Sequence, residues 1–121
     1  MRVGILTGGG DVPGLNPCIK AVTIAAIERG WEVLGFRRGW QGPLFWNPED
    51  RGSGDRQIMR LDREVVRTID RTGGTILHTT RTDPRRMTAD GLPDFLKEKL
   101  VPDGEGRFDA TPHILRVLEC L

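Results

Sequence analysis

Three consecutive glycines, Gly8, Gly9 and Gly10, follow a short apolar run at residues 3–6 and precede Asp11, Pro13, Gly14 and Asn16. A backbone without Cβ atoms lets an anion come close to the main-chain N–H groups. A helix beginning just afterwards adds unpaired donors and the positive end of a dipole. A phosphate cradle has this chemistry, and in open α/β sheets ligands collect at the carboxyl ends of strands. The same glycines would also make a tight turn with no ligand, and the motif alone leaves both readings open. Arg81 is the second candidate. It closes the stretch TILHTTR at residues 75–81, where a guanidinium could pair with phosphate oxygens. A plain surface arginine at a strand end is the alternative there.

A dinucleotide fold competes for the same glycines, because Gly8, Gly10 and Gly14 are spaced G-x-G-x-x-x-G. Pro13 stands where that helix should already be running. The second strand ends in Arg37 and Arg38, not in the acid that binds a ribose hydroxyl. Arginine there suits NADP, so an NADP-binding dehydrogenase stays on the table, as does a non-catalytic phosphate-binding module.

These residues need elements to position them. Residues 3–6 read as a buried strand. Asn16 is a suitable N-cap and Pro17 a suitable first helical residue. Ile19, Val22 and Ala26 supply the helix's apolar face, and Gly30 ends it. Residues 31–36 read as a second strand, giving a β-loop-α-β unit of a parallel sheet. Residues 37–56, with six Gly or Pro, read as irregular. Asp62 caps a helix carrying Val65, Val66 and Ile69, which Gly73 and Gly74 stop. Residues 75–79 read as a third strand and 80–86 as loop. Residues 89–100 are weakly helical and 102–106 a turn. Thr111 and Pro112 open a last helix with an apolar stripe of Ile114, Leu115, Leu118 and Leu121. That stripe is still running at Leu121, where an alternating layout calls for another strand. The expected architecture is an α/β domain over residues 1–121, a Rossmann-like parallel sheet with flanking helices, incomplete at its carboxyl end.

Composition narrows the function. The 121 residues are 37% hydrophobic and 29% charged, which suits a folded chain. No apolar run reaches the ~18 residues of a membrane span, and the N-terminus has no secretory pattern. Net charge is +1, so no nucleic-acid footprint is implied. Cys18 and Cys120 lie far apart, and His78 and His113 are scattered. A disulfide framework or metal cluster is therefore not expected, and a reducing cytoplasm fits. Fifteen arginines stand against three lysines, most of them read as solvated surface.

GGGDVPGLNPCIKAV resembles the amino-terminal G-G-D-x-P-G-x-N signature of the 6-phosphofructokinase family. RTGGTILHTTRT resembles that family's G-G-T-x-L-G-[ST]-[SA]-R stretch, and the distance between the two stretches also matches. The resemblance runs the length of the chain, weakest over 44–56 and 83–109. It implies phosphoryl transfer from ATP or pyrophosphate to the 1-hydroxyl of fructose 6-phosphate, with Mg²⁺, in a cytoplasmic, homo-oligomeric glycolytic enzyme. By the same resemblance Gly9 meets the donor phosphates, with Gly10 and Asp11 completing the turn. Arg81 contacts the donor, Thr82 lines the same site, and Trp40 stands where an aromatic lies near the nucleotide. His78 replaces a glycine of the pattern; its ring would either crowd the ligand or pack beneath the site. Two further stretches of the family, G-G-D-G-[ST] with a Mg²⁺-linked aspartate and T-I-D-N-D with the general base, are not in this sequence. No catalytic residue or metal ligand is therefore assigned here, and the chain alone is expected to be inactive.

Overall fold

The computed structural model describes residues 1–10 and 13–121. Strand β1 (Arg2–Ile5) leads through helix α1 (Leu15–Glu28) into β2 (Glu32–Phe36), and the two strands pair in parallel with Val3 opposite Val33 and Ile5 opposite Gly35. This is the expected β-loop-α-β unit. The buried residues of α1, Asn16, Ile19, Thr23 and Ala26, recur every three or four positions and so form one face. That face packs on Val33 of β2. Gly30 follows the helix at φ 75° and donates its N–H to the Ile27 carbonyl, the left-handed ending expected of it.

The rest of the sheet departs from expectation. Residues 37–56 are not uniformly irregular, because they hold two short helices, α2 (Gln41–Phe45) and α3 (Arg51–Gln57). Strand β3 (Ile58–Leu61) follows and pairs antiparallel to β2, Phe36 opposite Ile58. The sheet is therefore mixed, in the order β1-β2-β3, and not parallel throughout. Residues 75–79 are not a strand, because other partners take their backbone groups. The Ile76 N–H donates to Asn16 Oδ1 at 2.7 Å, and the Leu77 N–H donates to Thr75 Oγ1 at 3.1 Å. The Leu77 carbonyl accepts from the Arg38 N–H at 2.7 Å. The Leu77 side chain is fully buried over Gly35, where an added Cβ would sit 2.5 Å from Leu77 Cδ2. The segment plugs the sheet without joining its ladder.

Asn16 does not cap α1, whose N-cap is Gly14. It is the second residue of the helix, buried, and holds the 72–76 segment from both ends of its amide: Nδ2 donates to the Thr72 carbonyl at 3.0 Å, while Oδ1 takes the Ile76 N–H. Asp62 does cap α4 (Arg63–Val66), accepting from the Val65 N–H at 2.8 Å. The 89–100 stretch splits into a 3₁₀ turn at Ala89–Gly91 and α5 (Asp94–Lys97). Pro93 lies between them and lacks the N–H a continuous helix needs.

The last helix, α6 (Thr111–Cys120), buries His113, Ile114 and Val117. Leu115 and Leu118 of the expected stripe are 54% and 41% exposed. The apolar interior has two clusters. One lies between α1 and the sheet around Ile19, Val33 and Leu77. The other joins Leu44, Met87, Leu96 and Ile114 beneath α6.

Candidate donor-phosphate site

Beyond the carboxyl ends of β1 and β2, three segments are knitted together. The first is the glycine turn, with Gly9 at φ 86°, a conformation that a side chain disfavours. The second is the turn after β2, where Arg38 has φ 57° and Gly39 φ 60°. The third is the strap formed by residues 77–82. The Gly9 N–H donates to the Thr80 carbonyl at 3.0 Å, and Thr79 Oγ1 donates back to the Gly9 carbonyl at 2.8 Å. Thr80 Oγ1 donates to the Arg38 carbonyl at 2.7 Å and lies 3.0 Å from the Thr82 hydroxyl. Below the strap, Thr7 Oγ1 donates to the His78 carbonyl at 2.9 Å and stands 3.0 Å from Thr75 Oγ1.

Each site residue predicted from sequence can now be placed. The N–H of Gly9 is taken up by Thr80, so Gly9 offers a left-handed turn and room. A Cβ built there meets nothing within 4 Å. Gly10 lies under Arg81, since a Cβ on Gly10 would stand 3.8 Å from Arg81 Nη2. Sequence separation of some seventy residues is thus closed by the strap. Among the described residues no carboxylate pairs with Arg81, whereas nearby Arg85 is paired with Asp83 at 3.0 Å. That hydrogen-bonded guanidinium holds the Asp83 carboxyl below its usual range. Asp11 lies outside the described residues.

Thr82 is half-buried and links the cradle to a neighbouring cavity of about 470 Å³, lined also by Trp40, Pro84, Ile114, Leu115 and Leu118. Trp40 is 38% exposed, so an indole face is available beside the cradle. Among the described residues no three His, Cys, Asp or Glu side chains come together to hold a metal ion. Sequence reasoning missed Thr79, Thr80 and Arg38. Thr79 falls in the stretch expected to be a strand and Thr80 opens the stretch expected to be loop, and neither expectation gives a role to its hydroxyl.

The family model for phosphofructokinase matches residues 2–101. The chain belongs to the phosphofructokinase family. It is 45% identical over 105 residues to the pyrophosphate–fructose 6-phosphate 1-phosphotransferase of Amycolatopsis mediterranei, covering 86% of this chain and 27% of that enzyme. It is 44% identical over 92 residues to the ATP-dependent 6-phosphofructokinase of Propionibacterium freudenreichii, covering 75% of this chain and 22% of that enzyme. The solved phosphofructokinase of Saccharomyces cerevisiae matches over 69% of this chain and 10% of its own, with 28% identity and a TM-score of 0.56. The chain spans about a quarter of the length of the curated relatives it matches. Membership sets aside the NADP-dehydrogenase reading of the glycines.

The phosphofructokinase pattern also explains the odd residue of the second motif. His78 stands at the pattern's glycine and has φ 57° with an exposed side chain. The glycine suits that position because the backbone is left-handed there. The imidazole is not packed beneath the site.

Proposed function

We propose that residues 1–121 form the donor-binding portion of a 6-phosphofructokinase, which transfers a phosphoryl group from ATP or pyrophosphate to the 1-hydroxyl of fructose 6-phosphate and yields fructose 1,6-bisphosphate. One observation carries this reading beyond family membership: Arg81 Nη2 stands over Gly10 at the carboxyl end of β1. In phosphoryl transfer the protein mostly positions the reactants and stabilises charge on the transferred oxygens. The glycine turn leaves room for donor phosphates, and the Arg81 guanidinium offsets their charge as the bond to the leaving group lengthens. Thr82 extends the polar wall. With ATP as donor, Trp40, which lines the same cavity as Thr82, offers an aromatic surface.

Mg²⁺ would screen the donor phosphates in the full enzyme. The described residues build no cluster to hold it, so no step here passes through the ion. The family's base-bearing and metal-linked stretches are not in this sequence, and the isolated chain is accordingly expected to show no turnover. A homo-oligomeric cytoplasmic enzyme completes the proposal, in keeping with two exposed free thiols, Cys18 and Cys120.

Calorimetric titration of the chain with pyrophosphate, ATP and fructose 6-phosphate tests the assignment. Pyrophosphate binding should weaken roughly tenfold to a hundredfold in Arg81→Ala, the loss expected for charge-assisted hydrogen bonds of about 1.5–3 kcal/mol. Gly9→Val should weaken it by steric exclusion. Variants that bind pyrophosphate like the parent, or lose only fructose 6-phosphate, would show that the glycine turn is not the donor cradle.

A further inference from the structure

The peptide between Gly9 and Gly10 joins two residues without Cβ atoms and is therefore unusually free to flip. In a planar trans peptide the carbonyl of one residue and the N–H of the next point in opposite directions. Whatever holds the Gly9 carbonyl thus decides where the Gly10 N–H points. That hold is the Thr79 hydroxyl, donating to the Gly9 carbonyl at 2.8 Å. On its other side Gly9 is fixed by a backbone bond, its own N–H to the Thr80 carbonyl at 3.0 Å, which no side-chain change removes. The two bonds divide the work. The Thr80 carbonyl docks the strap on the turn, and the Thr79 hydroxyl sets the orientation of a single peptide.

We propose that Thr79 is a positioning residue for the phosphoryl donor, locking the Gly9–Gly10 peptide so that the Gly10 N–H faces away from the Thr79 hydroxyl and is presented to donor phosphate oxygens held by Arg81. The inference rests on the donor-site reading above. It adds a determinant that touches no ligand itself. The strap is held independently at Arg38, through the Arg38 N–H to the Leu77 carbonyl at 2.7 Å and Thr80 Oγ1 to the Arg38 carbonyl at 2.7 Å. Loss of the Thr79 hydroxyl should therefore leave the strap in place while freeing one peptide.

The test compares Thr79→Val, which keeps shape and loses the hydroxyl, with Thr79→Ser, which keeps the hydroxyl. Inorganic pyrophosphate affinity is read by calorimetry and Gly9 amide protection by hydrogen exchange. Thr79→Val should weaken pyrophosphate binding about fivefold to tenfold, the effect of one hydrogen bond. Thr79→Ser should restore it to within about twofold of the parent. Gly9 amide protection should persist in both. Equal affinity in Thr79→Val and the parent, with Arg81→Ala weakened, would overturn this inference and leave the donor site standing. Loss of Gly9 protection together with affinity in Thr79→Val would make Thr79 a structural residue and overturn it as well. If the parent and Arg81→Ala bind alike, or neither binds, the donor-site reading fails and the inference falls with it.

Discussion

His78 at φ 57° is a place where local geometry and residue type disagree, and His78→Gly should raise stability. A non-glycine residue in the left-handed region costs about 1–2 kcal/mol relative to its ordinary conformations. Glycine removes that strain but adds freedom to the unfolded chain, which takes back about 0.5–1 kcal/mol. The exposed imidazole makes no buried contact to lose, and the Thr7 hydroxyl bonds the His78 carbonyl, which glycine retains. The net gain should be about 0.5–1 kcal/mol. A chain of 121 residues unfolds with an entropy of about 250 cal/mol/K, so Tm should rise by about 2–4 °C. The assay is thermal unfolding of the parent, His78→Gly and His78→Ala by circular dichroism, with urea unfolding as a second measure. Alanine removes the imidazole yet keeps the Cβ, and should give no gain. A glycine variant no more stable than the alanine variant would refute the strain argument.

Asn16→Ala should cost about 2–4 kcal/mol in urea unfolding, because the Ile76 N–H and the Thr72 carbonyl lose their part-buried partner; a loss below about 1 kcal/mol would mean that water replaces the amide readily. His113 is buried with Nε2 unpaired, and burial pushes its pKa below the usual 6.5. The unfolded chain therefore binds the proton more readily than the folded one. The contribution of His113 is fully present above pH ~6.5 and is lost as pH falls towards and through the lowered folded value. In urea unfolding at pH 7.5 and 5.5, His113→Gln should be less sensitive to that change than the parent; equal sensitivity would place the titration elsewhere.

Local signals in the sequence determined much of this protein. Residues 3–6 and 31–36 carry short apolar runs bounded by glycine, and both overlap strands. The cap at Asp62 and the stop at Gly30 depend on one residue's chemistry and its nearest neighbours, so they were legible. So were the two glycine-rich stretches, whose order and spacing placed the chain among the phosphofructokinases.

Tertiary structure alone decided the rest. β-Branched Thr75 and Thr79 suit a strand, but Asn16, Arg38 and Gly9 reach residues 76–80 first and take backbone groups there. Asn16 has the chemistry of a cap, yet the 72–76 segment packed on α1 makes it an internal bracket. The antiparallel β3 was invisible because Ile58–Leu61 is four residues long and its partner β2 is distant in sequence. Arg81 is an exposed arginine, and only the strap sets its guanidinium over Gly10. Hydrogen-bond competition between segments far apart in the chain settles such matters, and no window of the sequence contains both competitors.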